Sequence, residues 1–276
     1  MRFAYKLILM SFPWKSVSSF YFSRNVLSGY ILYQTLLFLL VKYQAMKYCI
    51  FTCFTLFFFI SCSGKKEAEN TFRYNEALGI ENLDPVMCSN YAASWPLTQV
   101  CEGLVEFNKE MELQPLLSLS YSISEDGLIY TFNLRKNIFF HSDDCFPEKK
   151  PRMVSAKDFK YCFERVCDPR TKTRGAWLFR DRIKGAVEYI NSIKDKKFDV
   201  TEISGIQTPD DSTLIITLTK PFAPFLSILT MPYAFVYPKE ALEYYKDRFG
   251  YHPVGTGPFE FVKWDFDKEL VFEKNQ

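Results

Sequence analysis

Residues 71–276 predict a mixed α/β fold, and three observations carry that prediction. Two runs of alternating apolar and polar residues flank Glu125-Asp126-Gly127, a tight-turn signal, so 119–134 reads as a β-hairpin. Apolar residues at spacings of three and four over 94–105 read as an amphipathic helix. Further strand and helix patterns then follow one another to the end of the chain, with no internal repeat.

Taken in order, Thr71–Gly79 reads as a strand leading into a turn. Leu83-Asp84-Pro85 is an extended break, because Pro85 disfavours helical backbone at Asp84. Ser94–Val105 is predicted helical, with Trp95, Leu97, Val100, Cys101 and Leu104 on one face and Gly103 as terminator. Glu110–Pro115 is read as a short connection. In the hairpin, Leu128, Tyr130, Phe132 and Leu134 point to one side. Ile138–His141 reads as another short strand. Ser155 then opens a helix, with Asp158 placed to reach back to it, and Asp168-Pro169 closes it. Leu178–Lys194 contains a helix. Strands are expected over 205–211 and 214–218, with Leu214, Ile216 and Leu218 sharing a face. Pro221–Leu229 reads as a compact helix or turn and Lys239–Tyr245 as a helix. A loop at Gly255–Phe259 feeds strands at Glu260–Trp264 and Leu270–Glu273.

The net charge of +2 misleads. Residues 1–61 hold six basic side chains and no acidic one, which leaves 28 basic against 32 acidic residues beyond them. The folded part is therefore mildly acidic, and it carries no basic block that suggests nucleic acid. Eight cysteines occur without a Cys-x-x-Cys pair, and only two histidines are present, so no metal site is expected. Asp143-Asp144 beside His141 reads as a solvated loop rather than a metal cluster. No cofactor motif, Gly-x-Ser-x-Gly, His-Glu-x-x-His or phosphate loop appears, which argues against an enzyme.

The N-terminus reads as an address. Met46-Lys47, the apolar run Tyr48–Ile60 and then Ser61-Cys62 have the order of a secretory signal, and the run is shorter than the roughly 20 residues that span a bilayer. Phe59-Ile60-Ser61-Cys62 resembles the lipobox of bacterial lipoproteins, which implies lipid attachment at Cys62. Phe59 stands where that pattern prefers Leu. Residues 46–61 are then the signal and 62–70 a polar tether. Residues 1–45 are either an extension upstream of the true start at Met46 or an extra membrane segment.

Several segments in order resemble the bacterial extracellular solute-binding proteins of peptide and nickel importers. They are Leu83-Asp84-Pro85, Glu102-Gly103-Leu104, the hairpin from Ser124 to Arg135, Phe140-His141, Ser155–Phe159, Asp168-Pro169, and Gly255–Phe259 with Trp264. The resemblance implies a fold like that of periplasmic binding proteins, of the large three-subdomain type. Residues 71–102 and 238–276 would form the first lobe and 103–237 an inserted subdomain. On that template the second ligand-clamping lobe would begin just after Gln276 and so be missing. It also implies an envelope protein, lipid-anchored to a membrane, that captures oligopeptides and delivers them to ABC permease subunits in the inner membrane. A nickel or other small-solute protein of the same fold, or a non-transport surface lipoprotein or decayed fragment, is the alternative.

A protein that binds many peptides must grip their backbone. In the family the loop after Leu-Asp-Pro supplies part of that grip, which here points to Ser89, Asn90 and Tyr91, against the reading of an ordinary Asn-containing turn. An aromatic of the inserted subdomain also lines the family's ligand. Its counterpart here is Gly175, a departure. Trp177 stands two residues on and either substitutes for it or is a buried core tryptophan.

Overall fold

The computed structural model describes residues 33–48 and 70–275. The chain divides into two units, Met1–Arg73 and Tyr74–Gln276. In the first, helix α1 covers 33–48, with Leu36, Leu37, Phe38, Leu39 and Leu40 exposed. Lys42 lies over the ring of Phe38 and Lys47 over Tyr43, the i, i+4 spacing of a helix face. No helix among the described residues is long and apolar enough to cross a membrane. Cys62, with most of the expected signal and tether, lies outside the described residues.

The second unit is built on an antiparallel sheet of order β3-β4-β6-β5, from β3 (Ser118–Ile123), β4 (Ile129–Leu134), β5 (Ile206–Gln207) and β6 (Thr213–Thr217). The expected turn joins β3 to β4, and Gly127 sits at φ +69°, a backbone that L side chains rarely adopt. Alternation behaves as predicted. Tyr130, Phe132 and Leu134 are buried, as are Leu214, Ile216 and Leu218. They meet Phe159, Cys162, Phe163 and Val166 of α3 (Ala156–Cys167) in the larger hydrophobic core. Helix α4 (Ala186–Lys194) adds Ile190 and Ile193 to it.

Local chemistry sets the ends of α3. The Asp158 carboxylate accepts from the Ser155 amide at 2.8 Å and its hydroxyl at 2.9 Å, and Arg152 clamps the same carboxylate from outside. Arg152 also holds Glu240 of α6 (Lys239–Tyr245) at 2.6 Å, tying the two helices together. Asp168 caps the C-terminus, and Pro169 begins a separate 3-10 turn. Between the sheet and α6, α5 (Phe225–Ile228) is a single turn.

A smaller core gathers Leu83, Cys88, Ala93, Leu97, Val100, Cys101 and Phe235. Trp264, Leu270 and Phe272 of the hairpin β7 (Phe259–Asp265) and β8 (Glu269–Lys274) pack against it. The loop before β7 runs close to α2 (Tyr91–Val100). A Cβ on Gly255 would fall 2.0 Å from the Val100 carbonyl oxygen, so only glycine fits there.

Four expectations are corrected. Residues 71–76 form no strand. The first helix of this unit starts at Tyr91, capped by Asn90, and ends at Val100, so Cys101 and Leu104 are buried from non-helical backbone and Gly103 terminates nothing. The connection at 110–115 contains a strand, β2 (Leu113–Pro115), paired with β1 (Val105–Phe107). Ile138–His141 contributes one isolated bridge, Phe139 to Met153, rather than a strand.

His141 joins the 139–141 segment to the 255–257 loop. Its amide donates to the Gly255 carbonyl at 2.8 Å, and its Nε2 lies 2.9 Å from the Gly257 oxygen, which requires a proton on Nε2. Nδ1 is buried without a partner. Burial holds the imidazole below its ordinary value of 6.5, partly opposed by the Gly257 carbonyl and Asp143. The folded state therefore favours the neutral ring. Its contribution is complete above pH 6.5 and is lost as pH falls from there through the depressed folded value. The urea midpoint should fall between pH 7.5 and 5.5, and His141→Gln should flatten that fall. An equal pH dependence in the variant would contradict the assignment.

Candidate ligand-binding loop

The loop 84–91 is held at its base by a buried ion pair. Asp84 and Arg165 meet through two bonds of 2.7 and 2.5 Å, with side chains only 9% and 12% exposed. Arg165 also donates to the Tyr237 hydroxyl at 2.9 Å, and the rings of Tyr237 and Phe249 face its guanidinium. Burial alone would lower the Arg165 pKa, but the bonds to Asp84 and Tyr237 raise it overall, so the cation is secure. Asp84 does a second job. Its carboxylate accepts from the Val86 amide at 3.1 Å and caps the 3-10 turn Pro85–Met87, where Pro85 takes the position that needs no amide. Asn82 fixes the Asp84 amide at 2.7 Å.

Beyond the turn the backbone is extended, at ψ 102° for Cys88 and φ −143°, ψ 167° for Asn90. Cys88 is buried, and burial pushes its thiol up to about 11, so it stays protonated. Ser89, Asn90 and Tyr91 are all exposed, Tyr91 by 72%. The Asn90 side chain is committed, since its Oδ1 accepts from the Ala93 amide at 2.9 Å as the N-cap of α2. The amides of Ser89, Asn90 and Tyr91 have no partner among the described residues. Ser89 and Asn90 thus form an open, extended stretch that runs into the helix N-terminus at Tyr91.

The segment 173–178 packs on this loop. Thr173 donates its hydroxyl to the Val86 carbonyl and accepts from the Gly175 amide at 2.9 Å. The 3-10 turn Pro232–Ala234 lies against Pro85–Met87. Gly175 is buried under the ring of Tyr233, a residue that sequence reasoning missed. Trp177 is 42% exposed and so is not a core tryptophan. It sits under Arg182, whose guanidinium lies 5.4 Å from its ring and 4.5 Å from that of Phe222, and which also donates to the Trp177 carbonyl.

The loop carrying Asp143 proves less solvated than expected. The Asp143 carboxylate accepts from the Cys145 amide at 2.8 Å and from the Tyr245 hydroxyl at 3.0 Å, and pairs with His252 at 3.2 Å. Burial would push this carboxyl up, but those hydrogen bonds bring it below its ordinary value. It is a joint between elements. No cluster of metal-binding side chains occurs among the described residues. The five described cysteines of the second unit are free thiols.

Residues 112–276 match the family model of the bacterial extracellular solute-binding proteins, family 5. The chain is 32% identical over 217 residues to heme-binding protein A of Haemophilus influenzae, covering 75% of this chain and 37% of that protein. It is likewise 32% identical over 219 residues to the dipeptide-binding protein DppE of Bacillus subtilis, covering 76% and 37%. The substrate-binding domain of an oligopeptide ABC transporter from Bacillus anthracis has a similar structure. There the TM-score is 0.63 at 28% identity, over 71% of this chain and 36% of that one. The chain thus spans about 37% of the length of the curated relatives it matches.

The ring of Tyr233 leaves no room on Gly175. Gly175→Ala should lower stability by about 1–3 kcal/mol through overpacking, read from urea denaturation. An unchanged midpoint would show that the tyrosine ring moves freely.

Proposed function

Since the chain belongs to family 5 of the bacterial extracellular solute-binding proteins, we propose that it captures oligopeptides in the cell envelope for an ABC importer. The observation that carries this reading is the exposed stretch at 89–91, where extended backbone runs into α2 with its amides free. A peptide offers alternating amide donors and carbonyl acceptors. An extended edge with free amides binds that pattern by strand addition, whatever the side chains are. The neighbouring relatives named for dipeptides and oligopeptides support the same ligand class. Ser89, Asn90 and Tyr91 are the proposed backbone contacts. Trp177, exposed and steadied by Arg182, is the proposed aromatic wall.

The proposed division of the fold is a first lobe of 71–102 and 238–276 and an inserted subdomain of 103–237. The smaller core supports it, because it joins 80–101 to β7 and β8. Ala241, Phe249 and Val254, assigned to the first lobe by position, sit in the larger core and bind the two parts together. Delivery to permease subunits of the inner membrane and anchoring by a lipid on Cys62 complete the proposal. The sequence around Cys62 supports the anchor.

Calorimetry with trialanine to pentaalanine should show saturable heat. Silence with every peptide alongside binding of a nickel chelate would overturn the ligand class in favour of the small-solute alternative. Mass spectrometry of protein from the envelope should find Cys62 N-terminal and diacylglyceryl-modified. An unmodified peptide spanning Cys62 would refute the anchor.

A further inference from the structure

A Cβ built on Gly175 would lie 2.2 Å from Cδ1 of Tyr233 and 2.7 Å from its Cε1. The tyrosine ring therefore occupies the space that any side chain at 175 would need. Tyr233 is only 8% exposed, yet its hydroxyl has no hydrogen-bond partner among the described residues. A buried phenol normally finds one. Among the described residues, the one fully buried side-chain polar atom without a partner is Nδ1 of His141, so the Tyr233 hydroxyl retains contact with solvent. The ring is enclosed and the donor end is open.

The opening lies at the candidate site. The turn carrying Tyr233 packs on Pro85–Met87, and the charged or ionisable groups acting on its hydroxyl are Cys88 of the loop and Arg174. Arg174 is exposed and forms no ion pair or hydrogen bond among the described residues. A neutral donor held by packing and an unpaired guanidinium thus stand together beside the turn that leads into 89–91. All of these groups donate, so they suit a ligand group that only accepts and carries negative charge.

We propose that Tyr233 and Arg174 form a carboxylate-binding corner beside the 89–91 edge, and that Gly175 is small so that the Tyr233 ring can be seated there. Its ligand rests on the peptide-capture reading. The edge grips the peptide backbone, and the corner fixes one carboxylate, either that of the C-terminus or that of an acidic side chain.

The test compares trialanine, trialanine amide and the amide of Ala-Glu-Ala, titrated into the chain and followed by the amide NMR shifts of Ser89, Asn90 and Tyr91. Trialanine should bind about tenfold or more tighter than its amide, the scale of a charge-assisted pair of hydrogen bonds. Tyr233→Phe and Arg174→Ala should each shrink that ratio, and together bring it close to one, with unchanged urea midpoints. If the acidic amide alone is favoured, and the same variants abolish the preference, the corner reads a side-chain carboxylate. Binding that ignores both the carboxylates and the variants overturns the corner and leaves peptide capture standing. Failure of all three peptides to bind overturns peptide capture, and the corner with it.

Discussion

The ion pair between Asp84 and Arg165 is the constraint on which the candidate site depends. The two residues stand 81 positions apart and are both largely removed from water. Such a pair is expensive to bury, and it persists only where its geometry and its other hydrogen bonds are complete. Here they are. The carboxylate takes two guanidinium bonds and one backbone amide, and the guanidinium gives a third bond to Tyr237 between two aromatic rings. The pair pins the start of the loop to a rigid helix of the larger core, and the course of the chain through 85–91 follows from that anchor.

The rest of the site is layered outward from it. The 3-10 turn capped by Asp84 presents the Val86 carbonyl, which Thr173 takes, and Thr173 in turn orders Gly175. Gly175 admits the Tyr233 ring, and Asn90 opens α2 at the point where the edge ends. Each step is a local contact that uses the one before it. The outer surface, including Ser89, Asn90, Tyr91, Arg174 and Trp177, is left exposed.

The sequence made legible what adjacent residues decide. The hairpin, the burial of alternate residues in β4 and β6, the start of α3 at Ser155 and the whole of α6 depend on period or capping, and they appear where expected. The apolar spacing that reads as a helix over 94–105 continues past its end, because Cys101 and Leu104 are buried from non-helical backbone, while the true start is set by the Asn90 cap. β2 reads as part of a connection because it is only three residues long, and its Pro115 is tolerated at the end of a two-stranded pair. The family resemblance, not the local pattern, points to the three exposed loop residues as proposed contacts. Their free amides follow from where α2 begins, and the Asp84–Arg165 pair, the Tyr233–Gly175 contact and the Asp143 joint to Tyr245 and His252 each join residues far apart in the chain, so none leaves a local pattern.

The most direct test is a double-mutant cycle over Asp84→Ala and Arg165→Met, read by urea denaturation and by amide exchange of Val86, Met87 and Cys88. Each single substitution strands a buried charge and should lose about 3–5 kcal/mol, with loss of protection at those three amides. The double variant should lose clearly less than the sum of the two. Additive losses with the three amides still protected would contradict the account, because the loop would then hold its shape without the pair.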